Sequence, residues 1–411
     1  MIYDLIIAGA GAAGLFAAAN IQNGINTLLV EKNDIIGRKL LAAGGGKCNI
    51  THKGSIEEFY DKYGKNGKFL RKAFNNYDNS DVISFFEKNN VECFSDKNGK
   101  IFPKSEKAKD VIEAMFLSAL SKGVKLMTNS SIIEIIKEKD IFVVRLKNET
   151  LYTKNLLLTT GGSSYPTLGT SGDGYKLSSK LGHKIVELKP ALTPVFIENF
   201  KLSECAGLSF TNVKILQLEK GSERKLGEYY GDIGITHNGI SGPGIIDYSR
   251  YFNAGNILSV NLSGEKSEDV EKKLLDYICK NGKNVIKGFF KEYEFSEKLI
   301  IKLFDEIKSS PLKKCCELSK NERKEIVKFC CDLRFEIKEL GGYNVAMVTS
   351  GGIDLKEVSP STMESKIVSS LYFAGEILDI DGNSGGYNIQ AAFSTGKLAV
   401  DTICEKIKKT I

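Results

Sequence analysis

The chain opens on an apolar run, YDLIIA at 3–8, closed by Gly9, a pattern that predicts a buried strand. A helix is expected to follow from Ala10 to Asn23, and a second strand over Thr27–Val30 ends on Glu31, so the N-terminus reads as one βαβ unit. Further along, DVIEAMFLSALSK at 110–122 carries apolar residues at helical spacing, with Asp110 as the expected N-cap. Three β-like runs follow at 124–136, 141–146 and 151–158, separated by charged turns, and the last continues into LLLTTGG. From about 191 the pattern changes, since TPVFIE, TNVKILQLE and ILSVNL succeed one another as strands without a helix between them. Between 266 and 331 the periodicity turns helical, as in EDVEKKLLDYICK and SEKLIIKLFDEIK, with Lys and Glu on the polar face. The glycine-rich, apolar texture of the N-terminus returns from about 342. The pattern therefore predicts a discontinuous domain of 1–190 with 342–411, interrupted by a β-barrel-like domain of 191–265 with 332–341 and a helical domain of 266–331.

Composition narrows the class. With 411 residues, 42% apolar and 26% charged, the chain is long enough for two or three domains with real cores, which excludes a small stapled module and a disordered chain. The nine cysteines are scattered and lack CxxC spacing, so reduced thiols are expected in place of a disulfide framework or zinc site. His52, His183 and His237 are the only histidines, and their separation argues against a catalytic metal. No stretch of about 18 apolar residues occurs, and the N-terminus enters a strand directly, so a soluble, cytoplasmic protein without a membrane partner is expected. The charge balance of +6 is mild. It neither demands nor excludes a nucleic-acid partner, and nucleic acid is not the first choice because no dense basic patch interleaved with aromatics is visible.

The chemistry lies in the glycines. Gly9-Ala10-Gly11-Ala12-Ala13-Gly14 is a GxGxxG motif after a predicted strand and at the start of a predicted helix, and Glu31 follows at the end of the next strand. Gly9 allows the tight turn, Gly11 lets backbone approach a pyrophosphate, and Gly14 lets the helix pack on the strand. The helix N-terminus stabilises the phosphate charge, and Glu31, with Lys32 beside it, suits an adenosine ribose. Past it, Arg38 and Lys39 can neutralise phosphate, and Gly44, Gly45 and Gly46, running into Lys47, Cys48 and Asn49, make a backbone suited to lying against a flavin ring. Thr160, Gly161 and Gly162 end the strand that returns beneath the cofactor. Gly375 and Glu376 resemble the strand end that presents an acidic residue to a ribityl chain. Gly386, Tyr387, Asn388 and Ile389 open a C-terminal helix whose amides can face the flavin edge. Ile133, in the strand region after Glu31, completes the expected cofactor-binding set. Cys48 has no partner cysteine for dithiol chemistry.

These blocks, together with IFPKSEKAKDV at 101–111, TTGGSSYPTLGTSGDGY at 160–175, THNGISGPG at 236–244 and TSGGIDLKEVSPSTMESK at 349–366, resemble the YhiN/BaiN-type family of NAD(P)/FAD-dependent oxidoreductases, the aminoacetone oxidase-like flavoproteins. The resemblance runs over essentially the whole length. It implies an α/β fold: a Rossmann-like FAD-binding domain of the glutathione-reductase-like class, with an inserted β-barrel-like domain and a small helical domain. Ala43 stands where the family pattern has Ser.

The expected activity is that of an oxidoreductase with noncovalent FAD, passing hydride through flavin N5 from NAD(P)H to a small organic acceptor such as an activated carbon–carbon double bond. NAD(P)H enters as a transient co-substrate, because only one dinucleotide loop is visible. Two alternatives stay open: an oxidase that uses O2 on amines or aminoketones, and an FAD-dependent RNA-modifying protein. No catalytic acid or base is singled out. His237, in the THNGISGPG element, and the phenols Tyr165 and Tyr387 are candidates beside the expected cofactor loops. Substrate choice is expected in 191–341. The oligomeric state stays open.

Overall fold

The computed structural model describes residues 1–410, with side chains through Lys409. β1 (Ile2–Ala8), α1 (Ala12–Ala19) and β2 (Thr27–Val30) form the N-terminal βαβ unit. α1 is shorter than the sequence suggests at both ends. Ala10 is withheld from it because its N–H donates to the Glu31 carboxylate at 2.8 Å. At the other end Asn20 turns its amide back onto the Phe16 carbonyl at 2.8 Å and closes the helix.

α2 (Ala108–Ser121) begins ahead of Asp110, with Lys107 at the cap position and no side-chain cap. Asp110 lies in the first turn, where its charge still complements the helix dipole. The run expected over 124–136 breaks into β3 (Lys125–Met127) and β4 (Ile132–Glu138), because Asn129 takes a left-handed φ of 52°. β5 (Ile141–Leu146) and β6 (Thr150–Leu158) follow, then α3 (Asp173–Lys180) and β7 (Ile185–Ala191).

The chain then forms β8 (Val195–Ile197), β9 (Ser209–Leu218), β10 (Lys225–Ile235), β11 (Gly239–Ser241) and β12 (Ile257–Asn261). The helices α4 (Ser267–Lys280), α5 (Glu297–Glu306) and α6 (Lys320–Cys331) lead back to β13 (Leu333–Leu340). The C-terminal segment adds β14 (Val348–Ile353), β15 (Leu371–Phe373) and α7 (Tyr387–Thr410).

The main sheet runs β3-β2-β1-β6-β5-β4, with β15 paired to the carboxyl half of β6. The pairings among β3, β2, β1, β6 and β15 are parallel, whereas β4 and β5 return as an antiparallel meander. β7 and β14 pair antiparallel as a separate ribbon. Among the described residues no helix is long and apolar enough to cross a membrane.

Two compact units result: Met1–Ala191 with Tyr343–Ile411, and Leu192–Gly342. In the second, six antiparallel strands close a barrel in the order β8-β11-β10-β9-β12-β13. β10 escapes sequence reading because its glycines break the alternation of apolar and polar positions. At Gly231 a β-carbon would come within 2.7 Å of the Gly244 Cα, so close backbone approach explains that glycine.

The helices of 266–331 do not separate as a body of their own. One apolar cluster draws Val195, Ile215 and Leu258 from the barrel together with Phe290, Leu299, Phe304 and Ile326 from the helical segment. Phe210 of β9 meets Phe295 edge-on at 6.2 Å. Amphipathic helices this short cannot bury their stripes alone, and the barrel supplies the partner surface.

Because that core is shared, Phe290→Ala should cost about 3–5 kcal/mol and loosen barrel and helices together. Hydrogen exchange at β12 and α5 during chemical unfolding checks this: both elements should lose protection at the same denaturant concentration, and two separate transitions would contradict the shared core.

Candidate dinucleotide site

The parallel register sets out the site. Ala8 lies opposite Val30 on one side and Leu158 on the other, and Leu158 lies opposite Phe373. Gly9, Glu31, Thr159 and Ala374 therefore stand in a row just beyond the carboxyl ends of four strands, the place where open α/β sheets receive ligands.

Each glycine of the first loop has its own reason. Gly9 has φ +106°, and a β-carbon there would stand 2.7 Å from the Thr159 carbonyl oxygen. At Gly14 a β-carbon would stand 1.9 Å from the Gly9 carbonyl oxygen. At Gly11 it would meet nothing within 4 Å. Nothing in the protein requires a glycine at position 11, and the space beside it at the head of α1 suits a ligand's phosphates. Ala12 is half-buried; Ala13 is buried, with its methyl toward Gly375, where a β-carbon would come within 2.8 Å of it.

The Glu31 carboxylate accepts the Ala10 N–H at 2.8 Å, the Asn33 N–H at 2.9 Å and the Asn33 side-chain amide at 2.7 Å. It thus fixes the glycine loop before any ligand arrives, a role beyond the ribose contact expected from sequence. Lys32 donates to Asp173 and to Ser171, each at 2.5 Å. Ser130 donates its N–H to the Glu31 carbonyl at 2.9 Å, and Ile133, three residues on, is 55% exposed.

Arg38 and Lys39 differ. Lys39 donates to both oxygens of Glu376, at 2.7 and 3.0 Å. Glu376 also accepts from the Ser164 hydroxyl at 3.1 Å and the Thr349 N–H at 2.9 Å. The carboxylate that sequence offers to a ribityl chain is thus held by protein donors. Arg38 is half-buried and has no hydrogen-bond or ion-pair partner among the described residues.

Gly44, Gly45 and Gly46 all take positive φ, at 59°, 68° and 90°, and a β-carbon at Gly45 would meet nothing within 4 Å. Asn49, closed off beside them, has a buried Oδ1 without a hydrogen-bond partner; the Thr51 and Thr160 hydroxyls are likewise buried and unpaired. Buried polar atoms of this kind point to a missing partner. A β-carbon at Gly386 would lie 2.9 Å from the Asn49 Oδ1, so that amide sits against the head of α7. There Asn388 ties the preceding loop, donating to the Gly382 carbonyl at 2.8 Å and accepting the Gly382 N–H at 2.7 Å, and Ile389 follows in the first turn. Gly161 has φ +73°; at Gly162 a β-carbon would stand 2.5 Å from the Thr349 hydroxyl and 2.7 Å from Glu376.

The remaining candidates differ in exposure. Tyr387 is packed, its ring stacked on His52 at 5.0 Å and edge-on to Phe59 at 4.9 Å. Tyr165 takes a left-handed φ of 55° and is half-buried. His237 lies on the exposed turn between β10 and β11 in the second unit. Cys48 is fully buried, and burial pushes its thiol up to about 12, so it stays protonated and takes no thiolate role.

Sequence reading missed Ser164, Thr349 and Tyr175. The Thr349 hydroxyl accepts the Ser163 N–H at 2.8 Å and lies 3.0 Å from the Ser164 hydroxyl, while Tyr175 donates to the Glu376 carbonyl at 3.2 Å. Burial, followed by the nearby Glu376, raises the Tyr175 phenol well above its ordinary range.

The thiols give a direct check. Iodoacetamide at pH 8 should label the exposed Cys279 and Cys316 in the folded protein and leave Cys48 intact, as read by peptide mass mapping. Labelling of Cys48 without unfolding would contradict its burial.

The chain is 31% identical to the ribosomal RNA dihydrouridine synthase of Haemophilus influenzae, over 95% of this chain and 96% of that protein. It is 29% identical to the Escherichia coli protein of the same name, covering 98% and 99%. With the 3-dehydro-bile acid delta(4,6)-reductase of Clostridium scindens it shares 28% identity, covering 97% and 98%. A solved structure, the 3-ketosteroid-delta4-(5alpha)-dehydrogenase of Rhodococcus jostii, superposes with a TM-score of 0.52 at 13% identity, over 98% of this chain and 96% of that one. The profile described as the HI0933-like protein Rossmann domain matches residues 3–402, and the chain belongs to that family.

Proposed function

We propose that the chain is an FAD-dependent reductase that hydrogenates a carbon–carbon double bond conjugated to a carbonyl, with NAD(P)H as transient donor and a uridine of ribosomal RNA as acceptor. The observation that carries the cofactor is the space beside Gly11 at the head of α1, next to the row of Gly9, Glu31, Thr159 and Ala374. FAD, when bound, supplies two-electron hydride chemistry at its ring. The chain's part is to bind and orient. The opening amides of α1, at Ala12 and Ala13, would hold the pyrophosphate, Arg38 would neutralise it, and Glu31 would take the ribose. Gly44–Gly46 and Gly161 would let backbone lie close to the ring, with Asn49 and the head of α7 as hydrogen-bond partners.

The acceptor class follows from what the relatives' names have in common. Forming a dihydrouridine and reducing a delta(4,6) bile acid both add hydrogen to a carbon–carbon double bond. In uracil that bond is conjugated to a ring carbonyl, which makes its far carbon a hydride acceptor. Uridine is placed first because two relatives matched over nearly their full length carry that name. The bile acid reductase relative supports a small enone as the second reading.

The test mixes FAD-loaded protein anaerobically with NADH or NADPH and an unmodified ribosomal RNA transcript. Oxidation of the nicotinamide should accompany the gain of two hydrogens on a uridine, read by nucleoside mass spectrometry. Turnover with a steroid dienone but not with RNA would move the second reading to first place, and turnover with neither would overturn the reductase assignment. Gly11→Val should lower FAD content at least tenfold while circular dichroism stays native, because its side chain enters space that no protein atom occupies. Retained FAD would contradict the proposed cradle.

A further inference from the structure

A second feature lies in the Leu192–Gly342 unit. Beyond α4 the chain forms a short two-stranded ribbon. Val285 pairs antiparallel with Lys314, and the ladder is extended by hydrogen bonds from the Cys315 N–H to the Asn284 carbonyl at 2.9 Å, the Cys316 N–H to Gly282 at 3.0 Å and the Ile286 N–H to Lys313 at 3.0 Å. Burial divides its side chains between two faces. Ile286 and Cys315 point inward and are buried. Lys283, Val285, Lys314 and Cys316 fall on the outer face, with Leu312 beside them; Leu312 is 68% and Val285 40% exposed.

The ribbon and the chain flanking it, 280–291 and 307–316, hold seven lysines, and the nearest acids in sequence, Glu292, Glu306 and Glu317, stand just outside these bounds. Two of these lysines reach acids elsewhere, Lys287 on Glu297 and Lys313 on Glu322. The other five, Lys280, Lys283, Lys291, Lys308 and Lys314, are exposed and have no ion-pair partner among the described residues. Elsewhere in the same unit lysines are commonly paired, as in Lys214 with Glu228, Lys273 with Glu265 and Lys302 with Glu204. One-sided charge without internal neutralisation attracts a polyanion, and apolar side chains between the cations can lie against sugars or bases.

We propose that this ribbon face, centred on Lys283 and Lys314, binds the phosphodiester backbone of the RNA substrate. The proposal rests on the uridine reading above and adds the surface that would hold the RNA outside the reacting base. Contacts of this type position a nucleic acid without reading its sequence.

The test uses the FAD-loaded full chain and the double variant Lys283→Gln with Lys314→Gln. Both positions are exposed and unpaired, so melting temperature and FAD content should stay at wild-type values. Affinity for the ribosomal RNA transcript should fall about tenfold, equally for unrelated RNA of the same length, and the slope of log affinity against log salt should drop by about 1 to 2. In the wild type, RNA should also slow maleimide labelling of Cys316. Equal RNA affinity for variant and wild type, with Cys316 labelled at the same rate with and without RNA, overturns the ribbon while leaving the uridine reading intact if turnover on RNA persists. Failure of the wild type to bind or reduce RNA overturns both. Loss of binding to phosphatidylserine vesicles in the variant, with RNA binding unchanged, overturns the proposal in favour of a membrane surface.

Discussion

The approach of α1 to the turn after β1 governs the first unit. A side chain at Gly14 would collide with the Gly9 carbonyl and with the Thr159 hydroxyl that donates to that carbonyl at 2.8 Å. Helix, turn and returning strand are thereby locked at one spacing. Ala13 then faces Gly375, and its carbonyl lies against Gly396, where a β-carbon would come within 2.7 Å, so the long C-terminal helix is set by the same contact. Small residues at 9, 13, 14, 375 and 396 let these backbones approach closely, and the space at the head of α1 is framed by them.

Adjacent cations illustrate how the surrounding network divides charge. Lys39 is neutralised by Glu376, which is itself held by Ser164 and Thr349, so this pair makes a rigid internal node. A partly buried ion pair of this kind gives orientation more than net stability. Arg38, one residue earlier, has no such acid. Its charge is left for whatever anion approaches, and its planar fork suits phosphate oxygens better than a lysine would.

How much of this was legible depended on the range of each constraint. The glycine loop could be read because turn, phosphate approach and helix packing act within six residues, and each needs a glycine at a set spacing. The barrel was partly readable from β9 and β12, whose apolar residues recur at strand spacing, whereas the glycines of β10 hid it. Ser164 and Thr349 were invisible because their contact joins positions 185 residues apart and neither belongs to a local motif. Glu31 was found, but its bonds to Ala10 and Asn33 were not, since a carboxylate at a strand end does not announce which amides will turn toward it. The start of α2 was misplaced because Asp110 looks like a cap, while packing of Ala108 and Val111 carries the helix past it.

The discontinuity of the first unit also shapes how the protein is made. β15 completes the sheet beside Leu156–Leu158 of β6, and Phe393 of α7 stacks on Phe16 of α1 at 4.5 Å. Both follow the inserted unit in the chain and so leave the ribosome after it. Between the emergence of β7 and that of β15, elongation takes roughly ten to forty seconds at about 5–20 residues per second. Throughout that interval the nascent N-terminal sheet has an open edge at β6 and an uncovered aromatic face on α1, and a trapping chaperone or early cofactor binding would have its largest effect in that window.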